Sequence, residues 1–151
     1  MIFYILSLLC ITLFFGASVY VTFVEQPARL ACQTDAALAQ WRPSYKRAAA
    51  MQISLTIIGV LSSLIAFFKF DNFAVLVGGL LLATVAPYTL IVIMPVNKQL
   101  LDPTRSAETP GTSGLIKKWG QLHFVRTVIS FIALLIQVIN ISSLLSQYTN
   151  N

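Results

Sequence analysis

Residues 48–97 read AAAMQISLTIIGVLSSLIAFF, then KFDN, then FAVLVGGLLLATVAPYTLIVIMPVN. Lys69 and Asp71 are the only Asp, Glu, Lys or Arg among them, and both sit in the short turn Lys69-Phe70-Asp71-Asn72. A helix needs about 20 apolar residues to cross roughly 30 Å of hydrocarbon, and the runs on either side of the turn are both that long. Barrel strands would be about 10 residues long and alternate polar with apolar. A soluble helix would carry a charged outer face at helical period. Neither pattern is present, so the stretch reads as a hairpin of two spanning helices.

The flanks repeat the pattern. No Asp, Glu, Lys or Arg precedes Glu25, and none follows Arg126. The 151 residues are 57% hydrophobic and only 10% charged, with a mean hydropathy of +0.80. Soluble domains carry about 25% charge. The expected fold is all-α: one domain over 1–151, four antiparallel spanning helices at about 2–30, 44–68, 73–98 and 115–146. The first lacks a basic leader and is too long for a signal-peptide core, so it is expected to be a mature helix. A short interfacial helix is expected between Pro27 and Pro43, with Thr34 as its N-cap and Trp41 at headgroup level. The turn formers of Ser106–Gly114 predict a flexible loop over 99–114.

Basic residues set the orientation. Segments 25–47 and 98–126 hold nine of the ten Lys and Arg; the turn at 69–72 holds the other. The positive-inside rule puts the two long segments in the cytoplasm and both termini outside or in the lumen. A bacterial inner membrane and an endoplasmic reticulum membrane both satisfy it. The net charge of +5 is thereby explained by topology and anionic lipid, and no nucleic-acid partner is expected.

Each helix carries a stripe of small or polar residues at steps of three, four or seven, which keep one face. They are Ser18, Thr22, Glu25 and Arg29; Tyr45, Gln52, Thr56, Gly59 and Ser63; Thr84, Tyr88, Ile91 and Pro95, with Gly79 and Ala83 nearby; and Trp119, His123, Arg126, Ser130 and Gln137. Lipid offers no hydrogen bonds, so these stripes are expected to face other helices. The topology gathers Glu25, Gln26, Arg29, Arg42, Tyr45, Gln52, Asn97, Trp119, His123 and Arg126 at the cytoplasmic end. Arg126 is expected to pair with Glu25, or Glu25 with Arg29 one turn along.

Two readings of this cluster stand side by side. The groups satisfy one another and pin the bundle, or they line a pocket that a flat amphipathic ligand enters from lipid. In the second, His123 takes a proton. Arg126 and Arg29 stabilise an oxyanion, and Tyr45, Gln52, Tyr88 and Asn97 orient hydroxyl or carbonyl groups. One His and one well-placed Glu do not supply the three or four ligands of a zinc or iron site, so no metal is expected. No GxGxxG, phosphate loop or GxSxG occurs, and no cofactor is expected. Cys10 and Cys32 would lie roughly 30 Å apart along a helix, too far for a disulfide, and are expected to be buried apolar thiols.

Four segments carry a family resemblance. They are Phe23-Val24-Glu25-Gln26-Pro27-Ala28-Arg29-Leu30; Trp41-Arg42-Pro43-Ser44-Tyr45-Lys46-Arg47 with Met51-Gln52; Pro87-Tyr88-Thr89-Leu90 running to Met94-Pro95-Val96-Asn97-Lys98; and Trp119-Gly120-Gln121-Leu122-His123-Phe124-Val125-Arg126-Thr127. Together they resemble the anthrone oxygenase-like family of four-helix membrane proteins, much of it catalogued as a domain of unknown function. The resemblance implies oxidation of an anthrone or similar polycyclic phenol by molecular oxygen without an added cofactor. It implies His123 as the base that removes an acidic C–H, with Arg126 and Asn97 on the enolate oxygen. Glu25, Arg29, Tyr45, Gln52, Tyr88 and Trp119 complete the expected substrate site. Two other functions stay open: a non-catalytic binder or carrier of a quinone, lipid or small amphiphile, and a small structural subunit of a membrane complex.

Overall fold

The computed structural model describes residues 1–149, with side chains described for 1–142. Four long helices account for nearly all of it: α1 Ile2–Ala31, α2 Thr34–Phe70, α3 Phe73–Leu101 and α4 Thr112–Thr149. All four are long and apolar enough to cross a membrane. No strand occurs among the described residues. Each helix packs on its neighbours in sequence, and α4 closes the ring against α1. The outer surface is lined by exposed Leu, Ile, Val and Phe, among them Ile57, Leu61, Phe68, Leu90, Phe131 and Ile139. An exterior this apolar belongs in lipid, and the chain is an integral membrane protein.

The bundle is layered along its axis. One apolar layer centres on Trp41, Ile93, Val96, Leu100, Ile116 and Trp119; another centres on Ile11, Phe14, Leu82, Val85 and Ala133. Between them lie buried polar groups: Ser18, Gln52, His123, Arg126, Thr127 and Ser130. A second polar knot lies beyond the other layer. There Ser7 bonds Ser63 at 2.6 Å, and Gln137 Nε2 donates to Ser7 Oγ at 2.9 Å.

Two helices change pitch where they meet the polar layer. Val21–Glu25 in α1 and Thr89–Ile93 in α3 are π-helical turns. Each precedes a proline, Pro27 or Pro95. A proline ring clashes with the carbonyl four residues back, and those residues, Phe23 and Ile91, lie inside the π turns. Widening the turn relieves the clash. It also adds one residue, which moves the inward face one position along. Val85 is therefore followed inward by Ile93, not Val92, and then by Val96, Asn97 and Leu100. The expected α3 stripe is corrected: Ile91 and Pro95, in and beyond the π turn, are exposed, and so is Thr84, which precedes the turn and owes nothing to the shift.

Helix α2 begins earlier than its charge-free run. Residues 34–43 form no separate interfacial helix; they are its first turns, continuous through Pro43. Its N-cap is Gln33, and Thr34 is already helical. Trp41 is fully buried, not at headgroup level, because this extension folds onto the bundle end. The turn to α3 passes through Asp71 at φ 50°, a left-handed position that Asp tolerates better than most side chains. Asn72 then caps α3 by accepting from the backbone N–H of Ala74 and Val75.

The connection from α3 to α4 is held from outside. Arg42 donates to the carbonyls of Leu100, Asp102 and Arg105, at 3.0, 2.7 and 2.9 Å. These satisfy acceptors that the end of α3 leaves unpaired. Asp102 accepts from both the backbone N–H and the hydroxyl of Thr104, which holds its carboxyl below its ordinary pKa. Cys10 is buried but Cys32 is exposed, so only one of the two thiols is a core group.

Candidate active site

Arg126 sits on α4 in the polar layer. Its Nη2 donates to Oε1 of Gln52 on α2, and its guanidinium carbon lies 5.5 Å from the ring centre of Phe14 on α1. Glu25 turns away from it. Glu25 Oε1 accepts from Arg29 Nη2 at 2.7 Å, Gln40 Nε2 at 2.6 Å and Ser44 Oγ at 2.6 Å. Arg29 also donates to Gln26 and Gln40. Of the two pairings expected for Glu25, the structure forms the one within α1, and Glu25–Arg29 is the sole ion pair among the described residues.

His123 lies one turn before Arg126 on the same face. Its Nδ1 is 3.2 Å from Thr22 Oγ1, which is 2.8 Å from Thr127 Oγ1. Its ring packs on Trp119, with centroids 5.0 Å apart. Arg29 covers Trp119, its guanidinium carbon 5.5 Å from the ring centre. Trp41 meets Trp119 edge to face and stacks on Tyr45 at 4.9 Å. Gly120 makes this approach possible. A Cβ there would come within 2.6 Å of the side chain of Gln26, which donates to the Ile116 carbonyl and ties α1 to α4.

Two cavities meet at Arg126. The smaller, about 20 Å³, has room for a water-sized particle; Glu25, Arg29, Trp41, Tyr45, Gln52, Trp119, His123 and Arg126 are among its walls. The larger holds about 330 Å³ between α2 and α3 and is mostly apolar, with Phe14, Ile53, Ile57, Val85, Leu90 and Met94 around it. That is the low end of the range for small-molecule sites. Its polar groups are few: Tyr45, Gln52, Thr56, Thr89 and Arg126. Ile53, Ile57 and Leu90 on its rim are exposed, so it opens sideways, where lipid would be. Tyr45, Ala49, Gln52 and Arg126 border both cavities.

A family model described as anthrone oxygenase matches residues 41–136. The chain belongs to the anthrone oxygenase family. Trp41, Tyr45, Gln52, Tyr88, Asn97, Trp119, His123 and Arg126 of this family member fall within the match; Glu25 and Arg29 precede it. No curated protein and no solved structure gives a significant match.

Of the nine residues expected at the site, seven border the small cavity: Glu25, Arg29, Tyr45, Gln52, Trp119, His123 and Arg126. Asn97 stands one bond behind it, its Nδ2 donating to Tyr45 Oη at 3.0 Å. Tyr88 is elsewhere engaged, its hydroxyl donating to the Leu122 carbonyl at 3.0 Å. Among the described residues, no three His, Cys, Asp or Glu come together as a metal site would require. Sequence reasoning missed Thr89, whose buried hydroxyl has no partner and belongs to a residue lining the larger cavity. Its signal was the motif around Pro87, but the π turn that places it has no mark in the charge pattern.

Proposed function

We propose that this protein is a cofactor-independent oxygenase of a polycyclic phenol or anthrone, taken from the membrane into the cavity between α2 and α3. The observation that carries the reading is Arg126, a buried cation at the edge of a mostly apolar cavity. A flat aromatic body fits apolar walls, and a guanidinium favours a carbonyl oxygen as it becomes an enolate. Thr89 and Tyr45 supply further hydrogen-bonding groups. The ring C–H next to that system is acidified, and His123, which lines the adjoining small cavity, takes the proton through a water held there. Its Nδ1 is engaged by Thr22, which leaves Nε2 for the transfer. The carbanion then reduces O2 and forms a C–O bond to it. Proton transfer and O–O cleavage release water, and a CH2 becomes a C=O with one O2 consumed.

A second reading has its own support. His123 borders only the small cavity, beyond the wall formed by Tyr45, Gln52 and Arg126. A protein that holds a quinone or similar amphiphile without transforming it needs the large cavity and Arg126 but not His123. By the count of basic residues, the site lies toward the cytoplasmic side, with both termini outside or in the lumen. Membrane lipid and one small aromatic or amphipathic ligand are partners under both readings, and molecular oxygen is one only under the oxygenase reading.

Oxygen uptake by detergent-purified protein with an anthrone tests the proposal. Uptake above the spontaneous rate that is lost in His123→Ala supports the oxygenase. Background uptake together with recovery of an unchanged bound aromatic favours the carrier.

A further inference from the structure

Four groups of the polar layer form one hydrogen-bonded chain that crosses between α4 and α1. His123 Nδ1 on α4 lies 3.2 Å from Thr22 Oγ1 on α1, and Thr22 Oγ1 lies 2.8 Å from Thr127 Oγ1 on α4. Thr127 Oγ1 in turn lies 3.3 Å from the backbone carbonyl oxygen of Ser18 on α1. Thr22 stands in the π turn of α1, and Thr127 is one turn beyond His123 on the same face of α4. Ser18, His123 and Thr127 are all buried.

Proton counting fixes the direction of the chain. Each of its three contacts needs one hydrogen. A threonine hydroxyl carries one hydrogen, and a carbonyl carries none. The two hydroxyls supply two of the three, so the third comes from the imidazole. The Ser18 carbonyl takes the Thr127 proton, Thr127 accepts from Thr22, and Thr22 accepts from His123 Nδ1–H. In the reverse sense, with Thr22 donating to Nδ1, Thr127 has one proton for two acceptors. One close contact in a buried layer then goes without a hydrogen, which is costly.

We infer that Thr22 and Thr127 are positioning residues: their chain holds the neutral His123 ring as its Nδ1–H tautomer and keeps the lone pair on Nε2. A free histidine ring in water favours the other tautomer, so the bundle imposes this one. The consequence for catalysis rests on the reading of His123 as a base; the tautomer itself does not. When Nε2 takes a proton, no hydrogen in the chain has to move. The ring becomes positive, and its Nδ1–H bond to Thr22 becomes charge-assisted. The hydroxyl pair and the Ser18 carbonyl stand where a carboxylate stands behind the base of a catalytic triad.

His123 is the single histidine of the chain, so nitrogen-15 labelling of histidine gives one imidazole to read. NMR of the full-length protein in detergent, at mildly alkaline pH and without substrate, is expected to show a protonated Nδ1 and a bare Nε2. Thr127→Val removes the acceptor of the Thr22 proton, which then turns to Nδ1, and the ring is expected to change to its Nε2–H form. With an anthrone, kcat for oxygen uptake is expected to fall roughly tenfold in that variant while KM stays level, the worth of about one charge-assisted hydrogen bond. Thr127→Ser returns the hydroxyl and is expected to restore both spectrum and rate. An Nε2–H or doubly protonated ring in wild type would overturn the inference without any variant having to fold. An unchanged tautomer in folded Thr127→Val would strike Thr127 from its role. Background uptake together with an Nδ1–H ring would end the oxygenase reading and uphold the tautomer.

Discussion

Arg126 on α4 donates to the amide oxygen of Gln52 on α2, and the carboxylate of Glu25 serves Arg29 instead. The inter-helix tie in the polar layer is therefore a cation on a neutral acceptor. Gln52→Leu would leave a buried guanidinium N–H unpaired, at a cost of about 1–3 kcal/mol. A double-mutant cycle on thermal unfolding in detergent should show coupling of roughly 0.5–3 kcal/mol between positions 52 and 126. Between positions 25 and 126 it should be near zero. A strong Glu25–Arg126 coupling with none at Gln52 would contradict the geometry.

His123 is buried, and its 3.2 Å contact with Thr22 is longer than the 2.8 Å bond between Thr22 and Thr127. Its removal should cost chemistry more than structure. Under the oxygenase reading, His123→Ala should lower oxygen uptake by roughly 10²–10⁴, the usual worth of a positioned base. Thr22→Val frees the imidazole orientation while keeping its proton chemistry, and should give a smaller loss confined to kcat. A His123→Ala protein with wild-type uptake would remove the base role outright.

The lateral cavity makes a separate claim. Ala86 borders it from α3 and is exposed on its rim. Ala86→Phe should fill the mouth without entering the packed core. Binding of a tricyclic phenol, followed by its own fluorescence, should fall at least tenfold while the melting temperature stays level. Unchanged binding would mean that the ligand sits elsewhere.

How much of this was readable beforehand depended on whether a helix kept its pitch. Helix α4 has no proline, so steps of three, four and seven from Trp119 through His123, Arg126, Ser130 and Gln137 landed inward as expected. Helix α3 has Pro95, and the π turn it induces rotates everything beyond it; Ile91 and Pro95 were placed inward by counting and point outward. The charge-free runs located the four spans but undercounted α2, because its first turns are polar and are buried against the bundle end rather than in lipid. A pocket among the polar groups was one of two expected readings, but the number, size and position of the cavities were not legible. The larger depends on how far α2 and α3 splay, and the smaller on how side chains of α1, α2 and α4 pack, which no periodicity encodes. Residue type did flag seven of the groups that border the small one, since buried polar side chains in a membrane have few places to go.

Arg42 holds three carbonyls across the end of α3 and the following loop. Arg42→Ala should leave those acceptors to water and loosen residues 102–111. Limited proteolysis by an added protease is expected to cut that loop several times faster in the variant. The spans should keep their helical circular dichroism. Equal cleavage rates would show that the bonds of Thr112 and Arg105 within the loop hold it without Arg42.

Helices α2 and α3 approach each other closely at Gly79. A Cβ built there would lie 2.4 Å from both Cβ and Oγ of Ser63. Ser63 cannot simply rotate away, because its Oγ donates to the Gly59 carbonyl and meets Ser7 Oγ at 2.6 Å. Gly79→Ala should therefore force the helices apart, and overpacking of this kind costs about 1–3 kcal/mol. Ser63→Gly removes both colliding atoms and should recover part of the loss in the double variant. Gly16 provides the control, for it is helical and a Cβ there meets nothing within 4 Å. Gly16→Ala should stabilise by about 0.5–1 kcal/mol through backbone entropy alone. Thermal unfolding in detergent would read all three, and a neutral Gly79→Ala would mean that α2 and α3 are not seated as closely as this contact requires.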